Sequence, residues 1–446
     1  MTRPADGPDI AIVNATILPM GGAQKIERGS VTIRGNAIEA VGVAGAVKAD
    51  GARKIIDANG RVVMPGFVNS HTHIASNMLL RGLLEDVQLF EWLSTMWRLK
   101  RNFDPDTLYW ASLAGLAEMA KAGITTFNEH FDAYAVEPEI EALEKIPLRA
   151  TLGYGFADRG IYASITDWSW KTLETFGDLV KKHHRSGGDR VHLALSPHAP
   201  YSCGADMFKL VREVADAHKV AIHTHLAEGP QEVAYVADTY RTTPVKWVNS
   251  LGFLGPDVTA AHCTQLTDDD IRIMAETGTH IGHCPCCNAK LNSGTARLRD
   301  IRAAGVSVGL ATDGPASHNA LDMFQEMKFA GMIHKDKTND VEFLKTNELL
   351  EMATAGSAIA MNRPETGVLA PGRKADVIMV DLDRLHCLPV YDEAAALVYS
   401  ARADDVVTTI ADGRIVMEDR VLTGVDEGEI RAKFREKAMA LRDRSL

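Results

Sequence analysis

Apolar and polar residues alternate over short runs at both ends of the chain and fall into longer periodic blocks between them. Near the start, residues 31–34 (Val-Thr-Ile-Arg) and 37–41 (Ala-Ile-Glu-Ala-Val) flank Gly35-Asn36. A two-residue connection of that kind between alternating runs predicts a β-hairpin. Toward the end, 375–381 predicts a strand and 406–417 a pair of strands turning at Asp412-Gly413. Strand-rich ends around a long middle predict one small β-sandwich domain assembled from both termini, residues 1–64 with 366–446. Two separate mini-domains would each have too little core.

Residues 65–365 alternate strand and helix patterns. The candidate strands are 67–73, 124–128, 148–155, 191–195, 220–226, 258–263, 280–284 and 306–312. Helix signals lie between them. Asp104-Pro105 offers an N-cap followed by proline at the first helical position, and Gly123 stops that helix. Thr267 with Asp270 starts another, and Gly305 ends a third. Eight such units predict an α/β fold, a (β/α)8 TIM barrel, whose chemistry lies at the C-terminal ends of its strands.

A chain of 446 residues is long enough for that barrel plus a satellite domain. The net charge of -11 arises from 59 acids against 48 bases without a long block of one sign, so no nucleic-acid footprint is present. The charged tail, 427–444, reads as a solvated helix. Six cysteines in this length do not make a disulfide framework. The start, MTRPADGPD, has no basic segment followed by an apolar run, and no apolar stretch reaches bilayer-spanning length. A cytoplasmic protein without membrane contact is the expectation.

The residues ending the predicted strands carry the candidate chemistry. His71 and His73 share one side of the first strand, directly after Pro65-Gly66. A lone histidine there is more often a packed core residue; a pair at strand spacing is harder to explain by packing. The fifth strand ends with His223 and His225 on one face and Glu228 just beyond, the sixth with His262, the eighth with Asp313. Four strands therefore deliver imidazoles and a carboxylate to one rim. Such donors suit Zn2+, with Fe2+ or Mn2+ as competitors.

The chain resembles the amidohydrolase superfamily nearly end to end, through MPGFVNSHTH, HTHLAE, AAHC, ATDGPASHN and GRKADVIMVDLD. Within it, LLRGLLEDVQLFEWL and NALDMFQEMKFAGMIHK are similar to the deaminase branch that holds S-adenosylhomocysteine/methylthioadenosine deaminases and s-triazine hydrolases. The resemblance implies that His71, His73, His225 and Asp313 hold one divalent metal, and that His223 packs one layer down. No lysine ends the fourth strand, so the bridging carbamate of two-metal relatives is absent. His198 matches a position that binds a heterocycle nitrogen, with an ordinary loop histidine as the competing reading. Trp97 and Trp92 are candidate pocket walls, with helix-face packing as the alternative. A homo-oligomer, a dimer or higher, is implied as well.

The chemistry follows from general principles. A bound metal lowers the pKa of water to about 7. Asp313 is placed to take that water's proton, Glu228 to protonate a ring nitrogen, and His262 to stabilise the oxygen of a tetrahedral intermediate. Cys284-Pro285-Cys286-Cys287 is not read as a second zinc site, because no partner Cys-x2-Cys exists; Cys287 stands where the family has serine. Two departures bear on substrate. Lys100 takes the place of a ribose-binding glutamate, and Tyr154 that of an arginine that holds a carboxylate tail, with Arg159 off register. Both favour a small heterocycle (purine, pterin, pyrimidine or triazine type) over a nucleoside. Deamination is the leading reading. Loss of halide or alkylamine from an s-triazine-like ring is the second, and a non-catalytic assembly protein a remote third.

Overall fold

The computed structural model describes residues 7–101, 103–132 and 136–445. The opening six residues, part of the segment read for a leader, lie outside the described residues. The middle of the chain folds into eight parallel strands arranged in chain order: Phe67–Thr72, Ile124–Asp132, Arg149–Phe156, Val191–Pro197, Ala221–Leu226, Val258–His262, His280–His283 and Val308–Leu310. Each overlaps a predicted strand, and helices intervene, as a (β/α)8 barrel requires.

Regular pairing links each strand to the next, but the last and first are joined differently. Ser70 Oγ donates to the Leu310 carbonyl at 2.9 Å, the Thr312 N–H to Asn69 Oδ1 at 3.0 Å, and the Asp313 N–H to the His71 carbonyl at 3.1 Å. The barrel thus closes through a polar seam beside the residues of interest. The second strand runs past the predicted 124–128 because its rim half stays in register with the third, from Glu129 opposite Leu152 to Asp132 opposite Gly155. That extension carries Glu129 and His130 into the mouth.

The helix signals act as expected. Asp104 accepts the Thr107 N–H at 2.7 Å at the start of helix Pro105–Lys121. Thr267 and Asp270 form a reciprocal capping box at Asp268–Thr277, and such caps contribute about 1 kcal/mol each.

Strands from both chain ends form one mixed sheet of nine strands. Its join is Val62–Pro65, which pairs in parallel with Ile10–Ile17 and antiparallel with Val377–Val380. The predicted hairpin pairs Arg34 with Ala37 across Gly35-Asn36, and the late one pairs Ala411 with Arg414. Ile10, Ile12, Val31, Ile33, Val377 and Ile410 form a core of their own on this sheet. The sheet meets the barrel at Arg149, fully buried at the start of the third strand. Its Nε donates to Asp376 and its Nη2 to Asp412, both at 2.6 Å. No helix among the described residues is long and apolar enough to cross a membrane.

Candidate metal centre and active site

His71 lies within the first strand and His73 directly after it, and the alternation of side chains puts both toward the mouth. The His73 Nδ1–H donates to the His130 carbonyl at 2.7 Å, and the His225 Nδ1–H to the His198 carbonyl at 2.9 Å. A carbonyl can only accept, so in both rings the proton sits on Nδ1 and Nε2 keeps its lone pair. These two Nε2 atoms are 3.2 Å apart, with the rings parallel. His71 Nδ1 lies 2.8 Å from His223 Nε2; with its proton on Nδ1, it too turns an Nε2 lone pair inward. That Nε2 is buried without a hydrogen-bond partner, 3.2 Å from Asp313 Oδ1.

Three imidazole lone pairs and a carboxylate oxygen therefore converge. Burial and the neighbouring imidazoles hold the rings neutral: His71 is brought down to about 4, and His225 well below the usual histidine value. Burial alone would raise Asp313, but the adjoining imidazoles keep it well below the carboxylate range. Neutral imidazoles with one ionised carboxylate are the donor set a divalent cation takes. His223, the packing residue of the sequence reading, touches His71 and so orients it.

Around Asp313 the chain turns sharply. Its φ is 56°, its Oδ1 accepts the Gly314 N–H, and its Oδ2 takes the Ser317 hydroxyl at 2.6 Å and the Cys287 thiol at 2.8 Å. The fifth and sixth strands leave the barrel the same way, through Ala227 (φ 50°) and His262 with Cys263 (φ 71° and 51°).

His262 gives its Nδ1–H to Asn288 Oδ1 at 2.9 Å and turns Nε2 toward Glu228 Oε1, 4.0 Å away. Burial lifts the Glu228 carboxyl, against the pull of His262 and with the help of Asp313's charge. Burial would lower His262, yet the Glu228 and Asp313 carboxylates outweigh it and raise it. A carboxyl raised by burial and an imidazole raised by neighbouring carboxylates thus face each other beside the convergent donors.

The resemblance to known proteins agrees with this geometry. The amidohydrolase family profile matches residues 62–416. The chain belongs to the amidohydrolase family. A 5-methylthioadenosine/S-adenosylhomocysteine deaminase of Pelotomaculum thermopropionicum is 39% identical over 440 residues, 98% of this chain and 99% of the relative. Among solved structures, a zinc-bound adenosine deaminase from Xanthomonas campestris superposes with a TM-score of 0.92 at 29% identity, over 99% of this chain and 100% of that one. A zinc-complexed atrazine chlorohydrolase from Arthrobacter aurescens TC1 does so at 0.89 and 25%, over 96% and 100%.

The remaining candidates of this amidohydrolase divide by position. His198 lines the cavity above His225, with Nδ1 on Ser202 Oγ at 2.9 Å and Nε2 on the Tyr162 hydroxyl at 3.2 Å. Trp92 and Lys100 line it from the helix Leu89–Lys100, Lys100 donating to Asn77 Oδ1 at 3.3 Å. Trp97 and Tyr154, expected at the substrate, do not line this cavity. Trp97 packs behind Tyr162 with ring centroids 5.1 Å apart. Tyr154 stands against Phe176, its hydroxyl buried without a partner. Helix pitch turns Trp97 away when Trp92 and Lys100 face in. The cavity is narrow, about 30 Å³.

Sequence reasoning missed Glu232. It is fully buried and accepts the backbone N–H groups of Ala227 and Glu228, both at 2.9 Å, and so fixes the turn that presents Glu228. Its burial pushes it up to about 8. An acid one helical turn beyond Glu228, after Gly229-Pro230, was the available signal. His130 and Tyr162 were missed too, because each reaches the rim from a segment without a motif.

Proposed function

We propose that this amidohydrolase holds one divalent metal, most simply zinc, on His71, His73, His225 and Asp313 and hydrolytically deaminates an amino-substituted N-heterocycle. The observation that carries the reading is the placement of Glu228, His262 and Asp313 around one cavity beside three inward imidazole lone pairs. The zinc in two structural neighbours supports the choice of metal. A cation bound there supplies a water acidic enough to act as nucleophile near neutral pH. Asp313 accepts the proton that this water gives up, steadied by Ser317 and Cys287. Glu228, lifted by burial, gives its proton to the ring nitrogen and makes the adjacent carbon electrophilic. His262, oriented by Asn288, donates Nε2–H toward the oxygen that becomes negative. His198 fixes the ring from the opposite wall. The same reading divides the chain into a composite β domain, 1–64 with 366–446, and a catalytic barrel, 65–365, in a cytoplasmic homo-oligomer.

The substrate is a free heterocycle rather than a nucleoside. Lys100 lines the cavity, and by the resemblance it stands in for a ribose-binding glutamate; an ammonium group has no acceptor for a hydroxyl. Arg159 is engaged elsewhere, by Asp158 at 2.9 Å and the Tyr240 hydroxyl at 3.2 Å. Losing two charged hydrogen bonds costs on the order of 10²–10⁴ in kcat/KM.

The test is ammonia release from aminated purines, pterins, pyrimidines and triazines by metal-loaded protein, with chloride and alkylamine detection in parallel. Ammonia from one class bears the reading out. Chloride or alkylamine without ammonia would transfer the protein to the second reading, which the atrazine chlorohydrolase neighbour favours. A kcat/KM for S-adenosylhomocysteine above about 10⁵ M⁻¹s⁻¹, ordinary for a good enzyme, would overturn the exclusion of nucleosides.

A further inference from the structure

The cysteine run after the seventh strand has partners that lie far along the chain. Cys286 sits in the short helix Pro285–Lys290, His318 in the loop after the eighth strand, and Glu326 in the helix Met323–Thr338. Their Sγ, imidazole nitrogen and carboxylate oxygen all lie within 4.8 Å of one another. Glu326 is fully buried, and its Oε2 accepts the Cys286 N–H at 3.2 Å. Its Oε1 is 2.9 Å from His318 Nδ1, yet both atoms are buried without a properly aligned hydrogen bond. The two also form an ion pair in which, against burial, Glu326 raises the His318 ring, so a cation entering there competes with the imidazole's proton.

A thiol, an imidazole and a carboxylate from three segments make a ligand set that suits zinc in both softness and charge. Around a zinc ion, tetrahedral donors stand about 3.4–3.6 Å apart. His318 Nδ1 and Glu326 Oε1 are closer than that, at 2.9 Å, and the partly exposed Cys286 side chain lies within 4.8 Å of both.

We propose that Cys286, His318 and Glu326 form a second divalent-metal site, distinct from the catalytic donors, with its fourth position taken by water. Binding displaces the Cys286 proton to solvent and takes His318 as the neutral ring. Burial and Glu326 hold that thiol well above its usual value, so the cation must compete with a proton. The site clamps the loop after the eighth strand onto the following helix.

The test is metal analysis of full-length protein loaded with zinc and gel-filtered, with cobalt substitution as a second readout. Wild type should hold about two equivalents, while Cys286→Ala and His318→Ala each hold about one and keep most of their turnover. His71→Ala should lose the other equivalent and retain the near-ultraviolet thiolate-to-cobalt absorption, which Cys286→Ala should abolish. A single equivalent in wild type, or unchanged stoichiometry in Cys286→Ala, overturns the proposal. So does a cobalt band that disappears with Cys287→Ser and survives Cys286→Ala, because the thiolate would then belong to the catalytic donors.

Discussion

The two ends of the barrel treat buried charge in opposite ways. At the base, where barrel meets sheet, Arg149 lies between Asp376 and Asp412 at 2.6 Å, and the Asp412 N–H closes back on Asp376 Oδ1 at 2.7 Å. Each charge there is answered by another side chain. At the rim, lone pairs of His71, His73 and His225 point at one another and at Asp313, and Glu228 and His262 face across 4.0 Å. The base is built to be finished by the fold itself; the rim is built to act on something brought to it. Burial is equally deep at both ends, so what separates a structural charge cluster from a functional one here is whether each carboxylate meets a guanidinium directly.

The comparison breaks most directly at the rim. His71→Ala or Asp313→Ala should give folded protein that has lost the rim equivalent of metal, with activity at background; elemental analysis showing no loss of metal in His71→Ala would remove it from the ligand set. Glu228→Gln should keep the metal and lose roughly 10²–10⁴ in kcat, and loss of metal in that variant would make Glu228 a ligand instead of an acid. At the base the readout reverses. Arg149→Met leaves the buried Asp376 without its cation and Asp412 with only Arg190, 3.8 Å away, and should cost roughly 3–5 kcal/mol of stability, with per-molecule activity intact below the lowered Tm. An equal loss of kcat at full folding would show that the two ends are coupled.

The smallest effect comes from a carboxyl at neither end. Glu139, in the helix Glu137–Lys145, is fully buried with both oxygens unpartnered, and burial pushes it up to about 8. Its folded pKa exceeds the unfolded one, so the proton is held in the fold and released on unfolding. Its stabilising share is complete below about pH 4.5 and is lost as pH rises toward 8. Glu139→Gln cannot ionise and should lack that slope, gaining on wild type by on the order of 1–3 kcal/mol between pH 5 and pH 8. Parallel Tm-against-pH curves for the two proteins would refute the assignment.

The rim was readable in the sequence because strand geometry spaces its residues regularly. His-x-His after Pro-Gly, and His, His and Asp at the ends of three further strands, need only the two-residue repeat to be placed. Lys100, reached by counting from His73, does line the cavity. Trp97 and Tyr154 failed as cavity walls for a related reason: which face of a helix or strand end looks inward depends on the tilt of the whole element, which packing sets. Glu232, His130 and the partners of Cys286 were hidden because their contacts join segments far apart or turns without a periodic signature. The ends of the second and eighth strands depend on pairing with neighbours, and composition does not encode that.

The left-handed residues that end the fifth, sixth and eighth strands have a consequence for how such an enzyme changes over time. Ala227, His262 with Cys263, and Asp313 bend the chain abruptly at the last point of the barrel. Everything beyond them departs in a direction fixed by the bend and not by the loop that follows. The convergent donors are therefore insulated from the segments that wall the cavity. Loops and the Leu89–Lys100 helix are free to drift in length and residue type while the donor geometry stays constant. A lineage built this way can exchange one ring substrate for another without reinventing its chemistry.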